Sequence, residues 1–254
     1  MSKQGGTIVS EKIPALKKET AQPRSRRGQR LIRLLIALAA ILLIVLFFRS
    51  PLSKIGEIQV TGNEFVSREE IVGALDIAPG DSFFFPGISK LRQRANELKP
   101  IESVLIVKNF PGVVSVEVKE YPQVAVRLST DGSISAILSN GLMLPMPKGK
   151  LPDKPILSGW KADDANMAEL CKALGDLPGY LLSDLSEIQP DPSVSYPKRI
   201  KMFTRSRFEV TTSIELLKDK IAYLSDIVQN REPGKITMLD VDYYSPYSTE
   251  IVAE

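Results

Sequence analysis

Apolar residues run without a break from Leu34 to Phe48, LLIALAAILLIVLFF, and back to Leu31 the run is interrupted only by Arg33. It has no polar face, so it does not read as the helix of a soluble core, which keeps one side for water. The stretch from Leu31 to Phe48, as a helix, would be about 27 Å long, just enough for a bilayer core of about 30 Å. Arg33 lies near its start, where a long basic side chain reaches the headgroups. A cleaved signal peptide is the competing reading. The length of the run, and the absence of an Ala-x-Ala-like site after Phe48, where Arg49-Ser50-Pro51-Leu52 follows, favour an uncleaved anchor.

Beyond the run the pattern breaks into short elements. Ile58-Gln59-Val60 alternates as a strand, and Thr61-Gly62-Asn63 is turn chemistry. Ser67 with Glu70 makes a capping box ahead of a short helix through Ile71 and Leu75. Ile88, Leu91, Ala95 and Leu98 recur at helical spacing, and Pro100 ends that helix. Ile101 to Val107 is β-rich, and Val114, Val116 and Val118 alternate with polar residues across the turn Asn109-Phe110-Pro111-Gly112. The order is β-α-α-β-β, closing on a hairpin.

The rest reads as strands with helices between them. Val124–Leu128 and Ile134–Leu138 flank Ser129-Thr130-Asp131-Gly132, a hairpin signal. A Pro-rich piece from Leu144 to Pro155 leads to Ile156-Leu157-Ser158-Gly159. Asn166–Leu174 carries Met167, Leu170, Cys171 and Leu174 on one helical face, and Leu182–Ile188 reads as the start of a strand. Ile200–Phe203 and Phe208–Thr211 flank Thr204-Arg205-Ser206-Arg207 as another hairpin. Ile214–Val228 is an amphipathic helix with Leu217, Ile221, Leu224 and Val228 aligned. Ile236–Asp242 is expected as a strand, and Tyr243 to Tyr247 as the lead into a last strand near Tyr247–Val252.

Charge then orients the chain. The first 30 residues carry eight Lys and Arg against two Glu, net +6, whereas the part from Ser50 onward is net −5. The positive-inside rule puts the N-terminus in the cytoplasm and the large C-terminal part outside. The basic leader has no aromatic residue and no helical period, so it reads as a disordered tail rather than a nucleic-acid arm.

Composition narrows the chemistry. The chain has no histidine, which removes His-dependent triads, His metal sites and the commonest general base. A single cysteine, Cys171, permits no intrachain disulfide and reads as core. Ser158-Gly159-Trp160-Lys161 fits S-x-x-K, but the companion S-D-N and K-T-G motifs are missing and the serine sits in a Pro-rich turn rather than at a helix start. Asp163-Asp164 and Asp240-x-Asp242 lack the other positions of a calcium loop. No cofactor, metal or catalytic residue is expected.

The pieces IGEIQVTGNEFVSREEIVGALDIAPGDSFF and VKNFPGVVSVEVKEYPQVAV, in their strand order, resemble a POTRA domain, a polypeptide-docking module. One such module directly after a single anchor resembles the FtsQ/DivIB family of bacterial cell-division proteins, and the likeness continues through the C-terminal half. The loop Thr204–Arg207 departs from the acidic-Gly turn usual in the family. The resemblance implies an α+β fold, with a single transmembrane helix, a POTRA domain (β-α-α-β-β) and a mixed β-sheet domain with flanking helices. The expected limits are 1–30 for the cytoplasmic tail, 31–48 for the transmembrane helix, 53–121 for the POTRA domain and 122–254 for the β domain.

The same resemblance implies a non-enzymatic, single-pass type II protein of the cell membrane at the division septum. Its implied partners are FtsB/DivIC-type and FtsL-type bitopic proteins, and through them the septal peptidoglycan synthase. In family members the end of the β domain carries the partner site. Here that matches Asp242, Tyr243, Tyr244, Ser245, Pro246, Tyr247, Ser248, Thr249, Glu250 and Ile251. A last strand at a sheet edge could accept a partner strand. The alternatives are a membrane-anchored cell-wall enzyme, which a reactive Ser158 would mark, and a POTRA-bearing secretion component.

Overall fold

A computed structural model describes residues 26–129, 131–146, 153–161 and 164–247. Helix α1 (Arg26–Arg49) contains the apolar run, and its segment Gly28–Arg49 is long and apolar enough to cross a membrane. The helix begins inside the stretch expected as a disordered tail. Arg and Gln are good helix formers, and no proline lies between Arg24 and Phe48 to stop them.

Residues 51–254 form a separate compact unit with two hydrophobic clusters. The first is built from β1 (Glu57–Thr61), α2 (Arg68–Leu75), α3 (Ile88–Ala95), β2 (Ile101–Asn109) and β3 (Val113–Glu120). The sheet order is β1-β3-β2, with β1 parallel and β2 antiparallel to the central β3. The inward residues of the strands, including Ile58, Ile106, Val114 and Val116, share one core with Ile71, Leu75, Leu91 and Ala95 of the helices. The expected capping box forms. Glu70 N–H donates to Ser67 Oγ at 3.2 Å and Ser67 N–H to Glu70 Oε2 at 2.9 Å. Helix α3 stops at Ala95, earlier than Leu98, and Leu98 N–H instead closes a tight turn onto Ala95 O.

The second cluster lies under a nine-stranded mixed sheet. Its strands are β4 (Gln123–Leu128), β5 (Ile134–Leu138), β6 (Met143–Pro145), β7 (Ile156–Leu157), β8 (Leu185–Pro190), β9 (Arg199–Thr204), β10 (Glu209–Ser213), β11 (Gly234–Met238) and β12 (Asp242–Pro246). They lie in the order β12-β11-β10-β9-β8-β7-β4-β5-β6. Helices α4 (Ala165–Gly175) and α6 (Leu217–Asn230) bury Met167, Leu170, Cys171, Leu174, Leu217, Leu224 and Ile227 in the same core as Ile188, Met202 and Val210. Asp164 caps α4, accepting Asn166 N–H at 2.9 Å, so this carboxylate has a structural task.

Two local expectations change. The stretch expected to open a strand at Leu182 is first a short helix, α5 (Gly179–Asp184), because Pro178 is well placed to start one. At the C-terminal end β11 stops at Met238 and the tyrosine segment itself is β12, paired antiparallel to β11 with Tyr244 opposite Ile236. The bend at Leu239–Val241 shortens both strands, and Asp240 is held there by the Tyr196 hydroxyl. The expected strand beyond Tyr247 lies outside the described residues.

The two sheets meet at Tyr121-Pro122, which join β3 to β4. Tyr121 N–H donates to Pro100 O at 2.9 Å, Ser139 N–H to Pro122 O at 2.9 Å, and Asn140 Nδ2 to Lys99 O at 3.0 Å.

Candidate functional site

Strand β12 ends the nine-stranded sheet, and its outer edge pairs with no strand among the described residues. Which of its backbone groups face outward follows from one hydrogen bond. Tyr247 N–H donates to Pro233 O at 3.2 Å, toward β11. Backbone groups alternate sides in an antiparallel ladder. Tyr243 and Ser245 therefore face β11 with Tyr247, while the N–H and C=O of Asp242 and Tyr244 and the C=O of Pro246 face outward. Pro246 has no N–H to lose there, and it shortens the row of outward donors. The free edge thus centres on Tyr244, which offers both a donor and an acceptor.

The side chains alternate as well. Asp242 and Tyr244 point toward the helical side. Lys220 of α6 lies 2.9 Å from Asp242 Oδ1. Tyr244 packs against the core cluster, donates its hydroxyl to Glu232 O at 2.6 Å and lies under the Arg231 guanidinium, 6.0 Å from the ring centroid. This tyrosine anchors the strand. Tyr243 and Tyr247 point to the open face and are 63% and 45% exposed, so these two rings are the ones available for contact.

Two features hold the edge in place. The Tyr196 hydroxyl donates to Asp240 Oδ2 at 2.5 Å, which pins the turn that launches β12 and pushes the phenol above its usual range. Gly234 stands opposite Pro246, and a Cβ there would meet Ser245 O at 2.3 Å. The β9–β10 turn, where the sequence departs from the family habit, is closed without glycine. Arg207 takes the left-handed conformation at φ 69°, while Ser206 N–H and Oγ both donate to the Asp184 carboxylate, at 3.1 and 2.6 Å.

A shallow depression of about 420 Å³ adjoins the end of β12, lined by Arg207, Glu232, Pro233 and Tyr247. Sequence reasoning named only Tyr247 among these. The others lie 14 to 40 residues away, and no spacing along the chain links them. Of the ten expected site residues, Asp242 to Pro246 form the strand just described, Tyr247 follows it directly, and Ser248, Thr249, Glu250 and Ile251 lie outside the described residues.

Other candidate chemistry resolves into structure. Ser158 Oγ donates to Glu187 Oε1, and this bond with one from Gln189 Nε2 holds the Glu187 carboxyl below its usual range. Trp160 Nε1 donates to Ile188 O at 3.1 Å, so the S-x-x-K segment is fastened onto β8. A cleft of about 580 Å³ between the two sheets is lined by Glu102, Lys119, Tyr121, Lys172 and Asp176 among others. Several of its charges are paired, Lys119 with Glu102 at 2.8 Å and Asp176 with Lys218 at 3.2 Å.

Comparison with known proteins places this architecture. The FtsQ-type POTRA domain family matches residues 53–121. The cell division protein DivIB of Paenibacillus polymyxa is 42% identical over 97% of this chain and 97% of its own length. DivIB of Bacillus subtilis is 29% identical over 93% of this chain and 89% of its own. The solved major extracytoplasmic domain of DivIB from Geobacillus stearothermophilus, as the trans isomer, is 26% identical. That match covers 45% of this chain and 99% of that one, with a TM-score of 0.37. With a FtsQ-type POTRA domain behind an apolar N-terminal helix and a DivIB relative matched end to end, the chain belongs to the DivIB family of cell-division proteins.

Proposed function

We propose that the chain is a non-enzymatic, single-pass scaffold of the division septum, with its N-terminus in the cytoplasm and residues 51–254 outside. Its β domain, within 122–254, takes a DivIC/FtsB-type partner on the outer edge of β12. Through that partner and an FtsL-type protein it connects to the septal peptidoglycan synthase. The POTRA domain, within 53–121, precedes the β domain in the chain. Orientation rests on the +6 leader set against the −5 remainder.

The observation that carries the docking proposal is the outer edge of β12, unpaired among the described residues, with Tyr243 and Tyr247 exposed on the open face beside it. A partner strand would gain main-chain bonds to Tyr244 and Pro246, and its side chains would lie against the two rings. Proline at position 247 is a poor test, because Tyr247 N–H bonds within the chain. Tyr244→Pro removes the outward donor, and Tyr244→Val retains it while losing the same hydroxyl contact. Titration of the full chain with the purified DivIC-type partner should show Tyr244→Pro binding at least about tenfold more weakly than Tyr244→Val, roughly the worth of one buried hydrogen bond. Equal affinity for the two variants would overturn strand addition at this edge.

A further inference from the structure

Three loops converge on one end of the β1-β3-β2 module. Phe83 N–H donates to Ser53 O at 2.9 Å, and Ile55 N–H to Asp81 O at 2.8 Å. Gly56 N–H donates to Gly112 O at 2.8 Å, which docks the β2–β3 turn on the incoming chain. Gly112 is required there. Its φ is +75°, and a Cβ would meet Lys54 O at 2.9 Å. Lys108 Nζ reaches across from β2 to Phe83 O at 2.6 Å and Pro86 O at 2.7 Å, so the loop on either side of Phe85 is fixed.

This fastened end displays large apolar rings. Phe85 is 69% exposed and Phe110, whose ring meets buried Phe83 edge-on at 6.0 Å, is 57% exposed. Rigid loops holding phenylalanines outward form a patch that water does not favour. The chain itself supplies what covers it. Only Ser50, Pro51 and Leu52 separate Arg49, the last residue of α1, from Ser53. Even fully extended, that connection reaches about 14 Å. The headgroup layer on each side of a bilayer core is roughly 5–8 Å thick. Whatever the tilt of the module, the end that carries Phe85 and Phe110 is the end leashed to the span.

We propose that Phe85 and Phe110 insert into the lipid headgroup interface and seat the POTRA module on the membrane surface. The occupant of the patch is lipid. Amphipathic surfaces bind bilayers by burying such rings at the boundary between headgroups and acyl chains. Two aromatic contacts and the leash would fix the tilt of the module, and with it the distance of the β12 edge from the membrane. The inference rests on α1 spanning the membrane, which is part of the proposed function.

Depth measurement in lipid nanodiscs holding the full chain tests it. A nitroxide is attached at Asn109→Cys, beside Phe110, leaving both rings in place. Cys171 is buried, its thiol pushed up to about 12, and does not compete for the label. Reference labels go at Leu42→Cys within α1 and at Val194→Cys, which is fully exposed. The expected result is a collision rate with a water-soluble nickel chelate at position 109 at least about threefold below that at 194, as for interfacial sites. Phe85→Glu should bring it back toward the 194 value. A label at 109 as accessible as that at 194, with the label at 42 protected, overturns the inference and leaves the membrane span intact. An unprotected label at 42 overturns the span itself. Protection at 109 that appears only in discs holding more than one chain, or only when the DivIC-type partner is added, assigns the patch to protein and also overturns the inference.

Discussion

Glu120, the last residue of β3, accepts three backbone N–H groups at once. Glu64, Phe65 and Val66 donate to its two oxygens at 3.0, 2.8 and 3.0 Å. These residues form the loop that delivers the chain to the N-cap Ser67, so one carboxylate fixes how α2 enters. Hydrogen bonds to a charged acceptor are the stronger class. Glu120→Ala is expected to lower stability by about 2 kcal/mol, and Glu120→Gln by less, since the amide oxygen can still accept. Urea unfolding followed at the POTRA module checks this. Nothing in the sequence marks Glu120, which looks like one more polar residue on a strand. Ser67 was legible because its partner lies three residues away on the same helix turn, whereas Glu120 works across more than fifty.

At the scale of elements, β12 is the strand whose placement is most delicate. It has five residues, one neighbour and a proline at its end. Gly234 allows β11 and β12 to approach, because any side chain there would press on Ser245 O and Pro246 Cα, 2.3 and 2.8 Å from the Cβ position. Gly234→Ala should force the two strands apart at that point. The expected outcome is faster amide exchange at Tyr243 and Ser245, with β9 and β10 unchanged, and loss of binding to the proposed DivIC-type partner. Unaltered exchange across β12 would show that the strand is held by Tyr244 and Lys220 alone. The alternating strands β3 and β9 were plain in the sequence, since half-buried strands write their two-residue period into it. β12 carries no such period. Its apolar character comes from tyrosines on both faces, one packed inward and two open, so the sequence does not mark Asp242–Pro246 as a strand.

For the whole of residues 51–254, the telling feature is two hydrophobic clusters rather than one. Leu91 belongs to the first and Leu170 to the second, and both are fully buried. Truncating either to alanine is expected to cost about 2–5 kcal/mol. The damage should stay local. In hydrogen exchange of the full chain, Leu170→Ala should speed exchange in β8 to β10 and leave β1 to β3 protected, and Leu91→Ala should do the reverse. Exchange rising throughout for either variant would show that Tyr121-Pro122 and the Asn140–Lys99 bond couple the modules into one cooperative body.

The sequence alone determined the apolar span, the charge step across it, the β-α-α-β-β order and the absence of histidine. Each is written in neighbouring residues, because hydropathy, helical and strand periods and turn chemistry act over a few positions. Tertiary structure decided which strand is the edge, which tyrosines remain exposed and which carboxylates became fasteners. Tyr243 and Tyr244 are adjacent and identical in type, yet one stands exposed and the other is an anchor. Their difference is set by the β11–β12 register and by α6 beneath it, and such pairings between distant segments exist only once the chain has closed on itself.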